Sequence, residues 1–177
     1  MQPELAAVVV SVVAVLFTVG SFWWEHARLG RLIASTPQQY GSIIQDGTLV
    51  VRLPVVLLNT GARTIAVQTL RLRFLDGARR SLQWVAECDE MFSRDVRFRR
   101  AFAVRGPDSR DVILQFQRHE FENGERADAV RLQLEPIFLD QRSWKRLVEF
   151  SLPVPEGGFR PELSVIDLIG GVETGEA

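Results

Sequence analysis

The longest apolar segment of the chain lies at its amino end. Residues 5–24, LAAVVVSVVAVLFTVGSFWW, contain no charged residue and no proline. At a rise of ~1.5 Å per residue, a helix of this length spans the ~30 Å hydrocarbon core of a bilayer. A cleaved signal peptide normally has a basic region before its apolar segment and small residues after it, whereas here Glu4 precedes the segment and two tryptophans end it. The pattern therefore predicts a retained transmembrane helix within residues 1–24.

The residues that flank this segment indicate a topology. Trp23 and Trp24 lie where an aromatic belt at the water interface is expected, and Arg28 and Arg31 follow them. The amino flank carries only the α-amino group, which Glu4 offsets. Because positive charge near a span favours the cytoplasmic side, we expect a single-pass membrane protein with its main domain in the cytoplasm. The exported side stays open as the alternative, since large domains can be exported regardless of flanking charge.

One face of the predicted helix carries small residues at spacings of four and three. Small side chains let two helix backbones approach, and helix association in lipid depends on such close packing. This spacing predicts a left-handed crossing with a partner helix, either a second copy of the chain or another membrane protein. Such residues are also common in membrane helices without a partner. The stripe consists of Ala7, Ser11, Ala14, Thr18 and Ser21.

From Gly41 onward, apolar positions alternate with polar ones, which is typical of half-buried β-strands. Gly, Pro, Asn and Asp turns separate these segments, and no long helical pattern interrupts them. The predicted strands cover residues 48–58, 63–75, 81–88, 96–104, 111–117, 129–134 and 143–154. We therefore predict a mainly β domain over residues 41–155, built as an antiparallel β-sandwich of about seven strands.

Two of these strands contain an irregularity. Pro54 lies in the middle of the first strand, which predicts an edge strand or a bulge because proline cannot donate to a ladder. In the second strand, Ile65 and Val67 share one parity, whereas Leu70 and Leu72 share the other. This change of phase predicts a bulge or a bend between them.

The segments on either side of the domain have their own patterns. Residues 25–40 are expected to form a juxtamembrane helix lying against lipid headgroups, or a plain solvated stalk, and to end at Pro37. Residues 156–177 form an acidic C-terminal tail. Within the tail, the apolar residues 163–169 predict an added edge strand or a segment that docks on a partner by β-augmentation.

The first two predicted strands carry a resemblance to a known superfamily. Residues 53–74, LPVVLLNTGARTIAVQTLRLRF, resemble the first two strands of immunoglobulin-like domains, joined by an Asn-x-Gly turn. Such domains recur in bacterial surface and membrane-anchored proteins. The Cys–Trp–Cys signature of true immunoglobulin domains is missing. The resemblance implies a binding or scaffolding module, although a fold of this kind hosts many functions.

Composition and charge narrow the possible partners. The chain has 177 residues, so the part after the anchor has the size of one ordinary domain. All 21 basic residues follow residue 24, and so do all of the 22 acidic residues except Glu4, so the 21 basic residues there are balanced by 21 acidic ones. A nearly neutral domain has no general attraction to nucleic acid. The single cysteine, Cys88, excludes an internal disulfide and fits a small buried apolar residue.

Residues with catalytic or metal-binding potential are few. His119 is the only histidine in the predicted domain, and in an extended segment the neighbouring Glu120 and Glu122 face away from it. Such spacing does not bring together the three or four ligands that zinc requires. The acidic residues around Cys88 offer too few oxygens for calcium, and no phosphate-binding loop is present. We therefore predict no catalytic residue, no cofactor and no metal, with a dispersed enzyme site near His119 as an alternative.

A basic patch is predicted in the middle of the domain. It could face anionic lipid, dock a protein or protect an exposed sheet edge, or it could be a solvated strand face. The patch consists of Arg94, Arg97, Arg99, Arg100 and Arg105.

These observations together predict a membrane-anchored β-sandwich without enzymatic activity. We expect it to act as a protein-interaction, scaffolding or accessory module of a membrane complex, with membrane lipid and a protein partner or homo-oligomer as its contacts. A ligand-binding or adhesion domain on the envelope side is the second hypothesis. An enzyme with a site near His119 is the third.

Overall fold

The computed structural model describes residues 3–75, 81–91, 96–98, 100–119, 129–155, 159, 161, 164–168 and 173–174.

The amino end forms one long helix that stands apart from the rest of the fold. Helix α1 spans Pro3–Phe22 and continues into a π-helical turn at Trp23–Ala27. The segment Glu4–Ala27 is long and apolar enough to cross a membrane, and none of its spanning window is buried by the rest of the chain. Phe17, for example, is 76% exposed. By length and composition, this helix fits a membrane anchor or a signal sequence.

The remainder of the described chain is mainly β, and every strand pairing in it is antiparallel. This confirms the predicted class of the domain. The strands are β1 (Leu32–Ala34), β2 (Gln39–Gln45), β3 (Thr48–Asn59), β4 (Ile65–Phe74), β5 (Ser81–Cys88), β6 (Val96–Phe98), β7 (Phe102–Val104), β8 (Asp108–Arg118), β9 (Ala129–Phe138), β10 (Val148–Pro153), β11 (Ser164–Asp167) and β12 (Glu173–Thr174).

The described strands belong to one hydrogen-bonded sheet of twelve, whereas the sequence predicted a sandwich of about seven. The main path through the sheet is β10-β9-β4-β5-β8-β3-β2-β11-β12. Residues Ile65–Val67 of strand β4 pair with β7, whereas residues Arg71–Arg73 of the same strand pair with β5. The strand that neighbours β4 therefore changes along its length. The sheet curls so far that the Tyr40 hydroxyl on β2 donates to the Pro153 carbonyl on β10. The result is a half-barrel around one core.

Strand β3 is central in the sheet, so the prediction of an edge strand at Pro54 is wrong. One side of β3 pairs with β8 along its length. The other side pairs with β2 up to Arg52 and with β1 from Leu57, which leaves an interruption between them. The Val56 amide donates to Ser35 Oγ on this interrupted side, and amides two residues apart face the same way. The proline nitrogen therefore faces the gap, where no ladder hydrogen bond is lost.

The core lies on the concave side of the curled sheet. Trp84 is fully buried, donates from Nε1 to the Ala86 carbonyl at 2.8 Å and packs edge-to-face on Phe102. The predicted change of phase in β4 is confirmed, because the β4–β9 register shifts between Val67 and Thr69. Both Val67 before the bulge and Leu70 after it are fully buried. The bulge thus keeps the apolar residues of β4 on one face.

The segments that flank the domain contribute strands to the sheet. Residues 25–40, expected as a juxtamembrane helix or a stalk, contain the end of the π-helical turn and strand β1, which pairs with β3. Strand β2, which the sequence pattern did not predict, pairs with β3 on the same side. Of the two alternatives for residues 163–169, the structure has the added strand, since β11 pairs with β2, but β11 also pairs with β12, so β12 and not β11 lies at the edge.

Candidate functional site

The connection between helix and sheet is a short segment that the fold holds at several points. We call residues 28–34 the strap. The Arg28 guanidinium lies 4.2 Å from the Trp24 ring centroid and donates from Nη2 to the Thr60 carbonyl at 2.8 Å. The Arg28 carbonyl accepts from the Ala62 amide at 2.9 Å, and the Arg31 carbonyl accepts from the Thr60 amide at 3.1 Å. The strap is thereby fastened to the β3–β4 turn.

Glycines make this attachment possible. Gly30 of the strap and Gly61 of the β3–β4 turn are in backbone contact, and a Cβ on either would overlap the backbone nitrogen and Cα of the other. A Cβ on Gly106, in the β7–β8 turn, would overlap the Gly61 carbonyl oxygen. Because glycine has no Cβ, the backbones of these three separate segments lie closer together here than any other residue type would permit.

Asn59 holds the β3–β4 turn from beneath. Its side chain is fully buried, and its Oδ1 accepts from the Gly61 amide at 3.0 Å. Its Nδ2 donates to the Arg63 carbonyl at 2.7 Å and to the Val104 carbonyl at 3.0 Å. Because one buried amide joins β3, the turn and β7, this end of the sheet is fixed by side-chain hydrogen bonds as well as by ladder pairing.

A groove of about 990 Å³ opens beside the strap. We call it the strap groove. Three segments form it: the strap, the start of β4 and the β9–β10 connection, which is held by a hydrogen bond from the Leu139 amide to the Ala66 carbonyl at 3.0 Å. Its apolar lining consists of Leu29, Leu32, Ile65, Phe138, Leu139 and Leu147.

The charged residues of the strap groove are mostly basic. Four cations line it, against the single carboxylate of Asp140, and they are Arg31, Arg63, Lys145 and Arg146. All four are exposed, and Arg146 pairs with Glu149 at 3.0 Å. Within the described part of the chain, no carboxylate lies within salt-bridge distance of the other three. The groove therefore combines an apolar wall with a cationic rim.

A second cavity, of about 670 Å³, lies where β3 and β8 pass the β1–β2 connection. Ser35, Asp89 and Asp111 contribute polar atoms to its wall, and Cys88 also lines it. Burial raises the pKa of the Cys88 thiol, outweighing the opposing effect of Arg52, so the thiol stays protonated and unreactive near neutral pH. Among the described residues, no three His, Cys, Asp or Glu side chains are grouped to hold a metal ion.

The small-residue stripe lies on α1, where its spacing places it along one face. The Ser11 hydroxyl donates to the Ala7 carbonyl at 2.9 Å, and the Thr18 hydroxyl donates to the Ala14 carbonyl at 2.8 Å. Both hydroxyls are therefore satisfied inside the helix, and Ser21 at the end of the stripe is half-buried. The stripe thus presents small, internally satisfied side chains to its surroundings.

The described residues of the predicted basic patch lie in two parts of the sheet. Arg97 lies on β6, which pairs with β5, and bonds to Asp89 at 3.0 Å. Arg100 and Arg105 are exposed on either side of β7, which pairs with β4 instead. Arg105 lies beside Gly106 at the strap end of the sheet. The predictions for Arg94 and Arg99 fall outside the described residues.

His119 lies at the opposite end of the sheet from the strap. Its Nδ1 is 3.0 Å from the Thr48 hydroxyl, at the start of β3, and both groups lie at the exposed end of the strand pair. The neighbouring Glu120 and Glu122 fall outside the described residues. The geometry thus gives His119 one hydroxyl partner and assigns it no further role.

Sequence reasoning missed the strap junction and the strap groove. The signal for the junction was present in Asn59-Thr60-Gly61, which the sequence indicated as a turn, but its contact with Gly30 links positions far apart in the chain. The groove cations Arg63, Lys145 and Arg146 come from two separate segments, so no local cluster of charge marked them.

No protein-family model, no curated protein and no solved structure matches this chain.

Proposed function

We propose that this protein is a single-pass membrane-anchored module that holds a β domain in a fixed pose at the membrane surface and serves as a scaffold or accessory subunit of a membrane complex. The strap carries this proposal. A domain on a free tether needs no particular linker, whereas here the residues that leave the helix are bonded to the β3–β4 turn and form a strand of the sheet.

The anchor helix supports the same proposal. Among the described residues, none covers the apolar surface of its spanning window, which is the state expected of a helix that lipid or a partner helix surrounds. The stripe of small residues offers one face for close helix packing. The positive charges that follow the span favour the cytoplasmic side for the domain, which is the side that we propose. The proposed binding role is the one that the immunoglobulin-like resemblance of residues 53–74 implies, although a fold of this kind hosts many functions.

The experiment that tests the proposal changes how the helix is attached to the β domain and leaves the domain itself unchanged. A flexible Gly-Ser-Gly-Ser insertion between Ala27 and Arg28 frees the helix from the strap. The same insertion in the exposed β2–β3 turn, between Asp46 and Gly47, is the matched control. The size of the complex extracted from native membranes in mild detergent is measured for all three chains.

We expect the unmodified chain to run well above its monomer mass of 20.0 kDa, because it is bound to a partner or to itself. The insertion after Ala27 should reduce this complex, whereas the control insertion should preserve it. A further pair of variants, Ala14→Leu on the stripe and Val13→Leu beside it, tests whether the helix makes the contact. An unmodified chain that runs as a monomer would rule out the scaffold.

The polar cavity beside β3 and β8 favours a second candidate function, a small-ligand-binding domain on the exported side. Its wall combines hydroxyls, amides and two carboxylates with an apolar floor, as ligand sites commonly do. A topology reporter separates the two candidates, since the scaffold is proposed for the cytoplasm.

A further inference from the structure

The strap groove has three properties that together indicate a ligand. It is cationic at its rim, apolar along its wall and close in sequence to the end of the membrane helix. Each property alone is common on protein surfaces. A phospholipid has the three properties that match these, because it carries an anionic phosphate and apolar chains and lies at the membrane interface.

The charged residues of the groove indicate which kind of lipid headgroup it would bind. Arg31, Arg63 and Lys145 are exposed and have no carboxylate within salt-bridge distance in the described part of the chain. Guanidinium and ammonium groups that line one groove are suited to a phosphate diester with net negative charge. A zwitterionic choline headgroup brings its own cation into this rim and is disfavoured.

Two leucines of the apolar lining are largely exposed. Leu29 is 77% exposed and Leu139 is 65% exposed, although both line the groove. In water such exposure is unfavourable, whereas the boundary between headgroups and acyl chains accommodates leucine beside basic residues. The groove therefore has the surface expected at that boundary.

The position of the groove places it within reach of lipid. Leu29 follows Trp24 by five residues, which even fully extended span at most about 18 Å. Tryptophan at the end of a span lies at the headgroup level. The near end of the groove therefore lies beside the headgroup layer when α1 crosses the bilayer.

We infer that the strap groove binds one anionic phospholipid of the surrounding membrane, with the phosphate held by Arg31, Arg63 and Lys145 and an acyl chain against Leu29 and Leu139. This inference rests on the proposed anchoring of the chain through α1. The bound lipid would hold the domain against the bilayer, in addition to the covalent link through the strap.

The test uses the full-length chain in mixed micelles of phosphatidylcholine and phosphatidylglycerol, analysed by native mass spectrometry. The unmodified chain should retain phosphatidylglycerol in preference to phosphatidylcholine. The double variant Arg63→Gln/Lys145→Gln should lower the affinity for phosphatidylglycerol about 25-fold, since each of the two cations near anionic lipid contributes about fivefold. Leu139→Ser should lower retention of both lipids.

The matched control is Arg97→Gln/Arg100→Gln, which removes the same charge from exposed positions outside the groove. It should retain phosphatidylglycerol as the unmodified chain does. An equal loss in both double variants would indicate a diffuse charge effect and overturn the site. Groove variants that keep the lipid but lose a co-purifying acidic protein would overturn it in favour of a protein site.

The same spectra separate this inference from the proposed function. An intact chain that shows no preference between the two lipids overturns the lipid site and leaves the anchor standing. A chain whose mass lacks the α1 segment overturns the anchor and, with it, the lipid site.

Discussion

Gly30 and Gly61 are in direct backbone contact, although one follows the apolar helix and the other lies in the β3–β4 turn. Their closeness means that the path from helix to sheet is fixed by main-chain packing and by the hydrogen bonds around it. A linker that only tethered the domain would tolerate any small residue here. The contact therefore makes the strap part of the fold.

We predict that Gly30→Ala and Gly61→Ala each destabilise the domain. The added methyl group overlaps backbone atoms, which cannot rotate away as a side chain would. Overpacking of this kind typically costs about 1–3 kcal/mol, and in a domain of this size each kcal/mol lowers Tm by roughly 2–4 °C. Thermal unfolding of the full-length chain in detergent measures the change.

Gly20→Ala in α1 is the control for this prediction, because a Cβ added at Gly20 would meet nothing within 4 Å. It should leave Tm unchanged or raise it slightly, since alanine favours the helix. If Gly61→Ala and Gly20→Ala had the same Tm, the strap would move away from the added methyl group without a loss of stability, which would contradict this prediction.

Asn59→Ala should be among the most destabilising single substitutions at this end of the sheet. It removes three hydrogen bonds and leaves the Gly61 amide and the Val104 carbonyl without their side-chain partner. Each buried group left unsatisfied costs about 1–3 kcal/mol. Chemical denaturation should give a loss of about 3 kcal/mol, against almost none for the exposed Gln68→Ala. A loss below that of an ordinary surface substitution contradicts the role assigned to Asn59.

Two arginines contact the buried carboxylate of Glu135 and should differ in their importance. Arg71 lies 2.6 Å from this carboxylate and 4.1 Å from the Trp144 ring centroid, whereas Arg73 lies at 3.6 Å and its side chain is 51% exposed. Removing one partner of a buried ion pair strands the other and typically costs about 3–5 kcal/mol. Arg71→Gln should cost no more than the lower end of that range, because the Arg71 side chain is itself partly exposed and because Glu135 Oε1 still accepts from Gln133 Nε2 at 2.9 Å.

Arg73→Gln is the matched substitution for this comparison and should cost below about 1 kcal/mol, as exposed ion pairs generally do. Denaturant unfolding of the two variants side by side gives the difference. Equal losses would mean that both arginines satisfy Glu135 to the same extent.

The buried thiol of Cys88 should make stability fall at alkaline pH. Burial raises its pKa in the folded state. As pH rises through ~8.5, the thiol therefore ionises first in the unfolded chain, and this ionisation stabilises the unfolded state relative to the folded state. The contribution of the neutral thiol is fully present below that value and is lost as pH rises toward the folded pKa. Unfolding free energies of the unmodified chain and of Cys88→Ala, compared from pH 7 to pH 10, should therefore converge.

Alkylation gives a second measurement of the same thiol. Cys88 should react slowly with iodoacetamide at pH 8 in the folded chain and rapidly in denaturant. Fast modification of the folded chain would contradict both the burial and the raised pKa.

The sequence predicted those features of the fold that depend on local periodicity. The apolar helix and the alternating strands appear near their predicted positions, and the bulge in β4 follows from a change of parity between Val67 and Leu70. The sequence failed where a strand is short or lacks alternation. Strand β1 has only three residues, and β2 begins with Gln39-Tyr40-Gly41-Ser42, so neither displays a periodic pattern.

Pro54 shows why a local rule can be outweighed by tertiary structure. The rule that proline belongs at a sheet edge assumes a continuous neighbouring strand. Here the neighbour is two short strands with a gap between them, and the gap lies opposite the proline. The strap junction and the strap groove were inaccessible for the same reason, since Gly30, Gly61 and Lys145 are brought together only by the fold.

The side of the membrane on which the domain lies is the last prediction, and it follows from the residues after the span. Arg28 and Arg31 should keep the carboxyl end of α1 in the cytoplasm, because basic flanks resist export. A C-terminal fusion to a reporter active only in the cytoplasm should therefore be active, and a fusion to one active only outside should be silent. Arg31→Glu, with Arg28 left in place to hold Thr60, should weaken this bias, whereas Arg131→Glu, far from the span, should not. Activity of the external reporter in the unmodified chain would place the domain outside and shift the choice of function to the ligand-binding candidate.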